Sequence, residues 1–174
     1  MGQTLNTVAN GASGLVRVIG HVTAWSGLAL VLLVAFNVLG RYLFSFGTVA
    51  LQEAEWHLMA ASALFGMSYG LNQGGEVRVD IFYSRMSQRR QSLIDVFATV
   101  ALCGCALVIA WLSLNFVQQS YSIGESSPDP GGLPHRYLLK ALLPVSFVLL
   151  AVQALAMCAE ALLRVMGHGP EMKE

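Results

Sequence analysis

Four stretches of this 174-residue sequence run for roughly the length of a bilayer crossing with no charge in their interiors, and that feature dictates the solvent before it dictates the fold. A helix needs about 20 residues to cross a hydrocarbon core of about 30 Å. The first stretch runs from Val18 to Gly40, fenced by Arg17 and Arg41; the second runs from Trp56 to Gln73, entered through Glu53 and Glu55. The third starts near Leu93, passes Asp95 and meets no further charge until Glu125, and the fourth lies between Lys140 and Glu160. The third exceeds what a perpendicular crossing needs, so it is expected to tilt or to extend past the headgroups.

Composition agrees: 55% of residues are hydrophobic and 11% charged, an apolar excess that has to face lipid. The sequence therefore predicts one all-α, integral membrane domain over 1–174, with four transmembrane helices at about 18–40, 54–73, 93–119 and 138–162. With four crossings the N-terminus, the 2–3 loop and the C-terminus share a side. That side holds Arg17, Arg78, Arg85, Arg89, Arg90, Arg164 and Lys173, against Arg41, Arg136 and Lys140 on the other, so both termini are predicted to be cytoplasmic in a multi-pass protein of the bacterial inner membrane. Between Gly74 and Ser92 the apolar Val79, Ile81, Phe82 and Met86 interleave with Arg85, Arg89 and Arg90. This suits a short helix lying in the lipid interface, and suits a solvated basic loop equally well.

Several function classes fall away. Ten basic and ten acidic residues cancel, leaving no electrostatic case for nucleic acid. Cys103, Cys105 and Cys158 lie within apolar runs and read as small packing residues; the first two point about 200° apart on a helix and cannot share a metal. The apolar region of the first stretch is too long for a cleavable signal peptide, and Asn6 spoils a myristoylation motif after Met1-Gly2. No Asp, Glu, Lys or Arg falls near a span midpoint, where a transport pathway or a small drug exporter would show one; Gln153 is the most central polar side chain and reads as interhelical glue.

Helix 2 carries Ser62, Gly66, Gly70 and Gly74 at a spacing of four, a groove for close packing on a helix of this chain or of a partner. Arg41 faces Glu53 and Glu55 across a short connection, where an ion pair would fix the height of helices 1 and 2 and separate solvation is the alternative. From Ser120 to Arg136 the sequence is dense in turn formers, giving a defined external turn that includes Pro128 and Pro134. Glu125 and Asp129 read as ordinary loop acids within it.

Asn37-Val38-Leu39-Gly40-Arg41-Tyr42, Gln52-Glu53-Ala54-Glu55, Gly74-Gly75-Glu76-Val77-Arg78-Val79-Asp80 and Glu125-Ser126-Ser127-Pro128 through Gly132-Leu133-Pro134, with Pro144 after them, together resemble the small permease subunit of tripartite ATP-independent periplasmic (TRAP) transporters. The resemblance covers about Arg17 to Arg164, and the Ser127–Pro134 stretch is longer than in sialic-acid and C4-dicarboxylate members. It implies a non-catalytic subunit without a cofactor, packed as scaffold against a large permease subunit. That larger subunit takes up an organic acid, commonly a carboxylate, with sodium, from a periplasmic substrate-binding protein. On this reading the working parts are surfaces: the Ser62 to Gly74 groove, Arg41 with Glu53 or Glu55, the 74–80 turn with Asp80, and the Glu125 to Pro134 loop against the binding protein. The rival is a membrane anchor of a haem-containing respiratory oxidoreductase. His21 and His57 sit near the starts of helices that enter from opposite sides, about 20 Å apart in depth, too far to hold one iron.

Overall fold

Where the apolar stretches are interrupted, the chain turns, and each turn has a local cause. A computed structural model describes residues 2–75 and 83–166, with side chains from Leu5 onward. It contains α1 (Gly2–Phe44), α2 (Val49–Asn72), α3 (Gln88–Ser122) and α4 (Tyr137–Val165). The α1–α2 turn is tight: Ser45 takes a left-handed φ of 52°, and Phe46 N–H donates to Gly40 O at 3.0 Å. Thr48 then caps α2, its hydroxyl accepting from Leu51 N–H at 3.3 Å. At the other end of α2, Gly74 has a φ of 77°, its N–H donates to Leu71 O, and Gly75 N–H donates to Gly70 O. Gly124 ends α3 the same way, with Glu125 N–H reaching back to Ser120 O at 3.0 Å. Both are Schellman caps, in which glycine tolerates the left-handed position.

The helices outrun the predicted spans. The 43 residues of α1 begin well before Val18 and pass through both Arg17 and Arg41 without a break, because a charge ends a lipid-compatible stretch and not a helix. Likewise α3 already starts at Gln88, so Arg89 and Arg90 belong to it and not to a separate interfacial helix. Glu76 to Phe82, which include Asp80 and three of the four apolar residues of that predicted segment, lie outside the described residues, as does Lys173. Among the described residues three helices, α1, α3 and α4, are long and apolar enough to cross a membrane, whereas α2 opens with Gln52, Glu53, Glu55 and His57.

The core follows α4, which packs against each of the other three helices, while α1 pairs with α2. Close approach of α3 and α4 is made by small side chains: Cys103 and Ala106 meet Ala151, Ala154 and Leu150, with Phe147 and Leu71 packed around them. Cys103 thus fills the core, and Cys105 points outward. Outward faces carry Trp25, Phe97 and Trp111, each more than two-thirds exposed, an apolar exterior that requires lipid or a partner helix around it.

Polar contacts knit the helices at specific heights. Asn72 Nδ2 donates to Gln153 Oε1 at 3.1 Å and to Ser13 O at 3.2 Å, tying α2, α4 and α1 together. Gln153 is therefore interhelical glue, level with the last residue of α2. At that same end, Tyr83 Oη donates to both Asp95 carboxylate oxygens at 2.9 Å, and Arg164 pairs with Asp95 at 3.5 Å.

Candidate functional site: a loop clasped onto the start of helix 2

The segment between α3 and α4 is folded against the body of the protein. Ser127 N–H donates to Leu133 O, Gly132 N–H to Asp129 O, and Arg136 N–H to Glu125 O, all at 3.0–3.2 Å. The left-handed φ values of Gly131 (81°) and His135 (62°) reverse the chain. The defined turn expected from the prolines is present, and a carboxylate on another helix anchors it.

That carboxylate is Glu53, buried in the second turn of α2. Its Oε1 accepts from Ser127 Oγ at 2.5 Å, its Oε2 accepts from Leu133 N–H at 2.6 Å, and Arg136 approaches at 3.5 Å. A buried carboxylate is costly unless its lone pairs are met, and here one backbone donor, one hydroxyl and one guanidinium meet them. Gly132 is required at this seam: a Cβ there would run into the Ser127 side chain and come within 2.9 Å of Glu53 Oε2. Arg136 spreads over the Trp56 ring with its guanidinium carbon 5.4 Å from the centroid, and Lys140 lies 4.0 Å from that of Phe116.

Glu125 closes the far side of the loop through an ion pair with Lys140, one turn into α4. It is no ordinary loop acid. The hydrogen bond from the Lys140 ammonium is the main reason its carboxyl is held below the usual carboxylate range. A carboxyl whose pKa is lower folded than unfolded adds stability above its unfolded value and loses it as pH falls through the folded one. The loop should therefore stay clasped at neutral pH and loosen in acid. Amide protection factors over 123–136, corrected for the intrinsic exchange rate and followed downward from pH 7, should fall below about pH 4.5. In Glu125→Gln the Glu125 contribution to that fall should vanish, and an unchanged profile would refute the assignment.

Arg41 is not the partner of either acid. Asn37, one helical turn before it, reaches Glu55 instead, donating from Nδ2 to Oε1 at 2.7 Å. Glu53, two residues from Glu55 and hence on another face of α2, turns toward the α3–α4 loop. Arg41 lies exposed at the α1–α2 turn near Gly47, where a Cβ on that glycine would be 3.6 Å from Nε.

The small-residue stripe on α2 also divides. Ser62 meets Ser26 of α1, Oγ to Oγ at 2.7 Å. Around Gly66 and Gly70 an added Cβ would meet nothing within 4 Å, and Gly74 is the cap beyond the helix end and not part of a groove. The close approach between α1 and α2 is at Gly20, where a Cβ would collide with the Tyr69 side chain. Asn37 and Ser127 fall within the segments that carry the resemblance, yet no pattern pairs Asn37 with Glu55 or Ser127 with Glu53, and Arg136 and Lys140 stand out in the sequence only as basic residues after the outer turn.

The histidines are placed far apart. The His21 ring stands edge-on to Tyr69, with centroids 5.8 Å apart, while His57 stacks beside Trp56. From position 57 to position 69 of α2 is about 18 Å of helix rise, which rules out a shared haem iron for this pair.

Loop, clasp and helix order can be set beside known proteins. A family model described as Tripartite ATP-independent periplasmic transporters, DctQ component, matches residues 30–164. The chain belongs to that family. Over 134 residues it is 28% identical to the isethionate TRAP transporter permease protein DctMQ of Oleidesulfovibrio alaskensis, a match that takes in 74% of this chain and 21% of the relative. The chain thus spans about a fifth of the length of that relative. No solved structure matches. Membership makes this chain the small membrane subunit of a TRAP transporter, a multi-pass protein of the bacterial inner membrane. All four segments that carried the resemblance, beginning at Asn37, Gln52, Gly74 and Glu125, fall inside the matched range.

Proposed function

We propose that this subunit is the fixed scaffold of its transporter, crossing the membrane four times with both termini in the cytoplasm and holding a large permease subunit. The large subunit carries an organic acid inward with sodium, after a periplasmic substrate-binding protein delivers it. One observation carries the scaffold reading: charged side chains gather at the helix ends, as in Glu53–Arg136, Glu125–Lys140 and Asp95–Arg164, and none lies midway along a span. A solute or ion pathway through this chain alone would need polar groups at depth. The basic bias of Arg17, Arg85, Arg89, Arg90 and Arg164 supports the orientation. It also puts the clasped loop on the periplasmic side, where a binding protein docks. α2 is the fourth crossing, its polar opening turns being neutralised by the clasp.

The relative supports the partnership, because its name joins an M to a Q component and this chain matches a fifth of it. It is named for isethionate, a small organic sulfonate, which accords with an organic anion as cargo. Affinity purification of the chain in mild detergent from its native host tests the reading. A multi-span permease should come with it at equal stoichiometry, and its proteoliposomes should take up the anion only with inward sodium. Recovery of a soluble dehydrogenase instead would refute it.

A further inference from the structure

Between α2 and α3, over the first turns of α4, an apolar groove of about 500 Å³ opens sideways on the surface that faces lipid or a partner. Trp56, Ala60 and Ala63 form one wall, Phe116 the other, and Leu139 and Leu143 the floor. It exists because α4 packs against both neighbours while the α2 wall is lined by alanine, too short to close the gap.

At one end the groove turns basic. Arg136 and Lys140 line it, and neither Glu53 nor Glu125 does. Each cation has one carboxylate partner in or under the loop, and each lines the groove with its own side chain. Arg136 Nε is buried without a hydrogen-bond partner, a donor that native structures seldom leave unmet. Both cationic heads rest on aromatic rings, Trp56 and Phe116, which fixes them at the mouth of the groove.

We propose that this groove binds one membrane phospholipid, its acyl chain along the alanine wall and its phosphodiester on Arg136 and Lys140. An apolar slot ending in two cations and an unmet donor is complementary to such a molecule and not to a protein helix. A helix in the slot would bring apolar side chains to the cations and no acceptor for Arg136 Nε. The site needs only that the chain sits in a membrane, so it stands or falls independently of the transporter assignment. Lipid held here would brace the clasped loop from below, since Arg136 serves both.

Native mass spectrometry of the full chain, with whatever subunits accompany it in mild detergent, tests the site after exhaustive delipidation. The wild type should retain a phospholipid adduct. Ala63→Phe, which fills the slot, and Lys140→Gln paired with Glu125→Gln, which removes a phosphate donor without unbalancing charge, should each reduce that adduct at least tenfold, the loss of about 1.4 kcal/mol of binding. Should Ala63→Phe fail to fold, the charge-balanced pair carries the test alone. An adduct undiminished in the variants, or none in the wild type, overturns the proposal. So does efficient disulfide capture of another subunit by a cysteine placed at Ala63.

Discussion

Glu53→Ala should release the α3–α4 loop and lower the level of the chain in the membrane several-fold, more than any other single change at that end. The reason is asymmetry: making a buried hydrogen bond gains little over water, but leaving its partner unmet costs the full desolvation. Without the carboxylate, Leu133 N–H and Ser127 Oγ lose their acceptor, and Arg136, whose Nε already lacks one, loses its counter-ion. Glu53→Gln should move in the same direction by less, because the amide keeps one acceptor but turns its own donors toward Ser127 or Leu133. Glu55→Ala is the control. It costs the buried Asn37 amide its acceptor at the α1–α2 contact but touches no loop residue among the contacts described, so cleavage of the loop should stay at the wild-type level. Limited proteolysis of the 123–136 segment in membranes reads the result directly. Equal cleavage in Glu53→Ala and Glu55→Ala would refute the clasp.

What the sequence made legible was whatever one residue type and its neighbours decide. Uncharged length announced the lipid-compatible stretches, and glycine with proline announced the outer turn, because solvent and backbone φ act locally. The clasp was hidden for the opposite reason. Glu53 and Leu133 are 80 positions apart, and no periodicity links a helix-start acid to a backbone amide so distant. Arg41 looked like the natural partner because it is close in sequence, yet the turn at Ser45 to Gly47 brings Asn37 to Glu55 and leaves Arg41 outside. Arg17 and Arg41 misled in a second way, since they bound the uncharged stretch while α1 continues through both.

The second large effect concerns where the helices touch, and it reverses what the glycine stripe suggests. Gly20→Ala should destabilise the chain by about 1–3 kcal/mol, the usual penalty for overpacking a filled contact. An added methyl at Gly20 would meet not only the Tyr69 ring but also Tyr69 Cβ at 2.8 Å, so no rotamer of the tyrosine clears it and α1 must move away from α2. Gly66→Ala and Gly70→Ala should leave the isolated chain as stable as before or slightly more so. Each added Cβ would meet open space, and alanine favours the helix over glycine by up to about 1 kcal/mol in water. Thermal unfolding of the detergent-solubilised variants decides the matter, and Gly66→Ala falling as far as Gly20→Ala would place the contact wrongly. The same two variants then separate fold from assembly. The Gly66–Gly70 stretch, which no described residue of its own chain fills, is open to a helix of the permease subunit. If it is used so, Gly66→Leu should spare the fold of this chain while reducing co-purification of its partner, because a bulky side chain there keeps two backbones apart without disturbing either one.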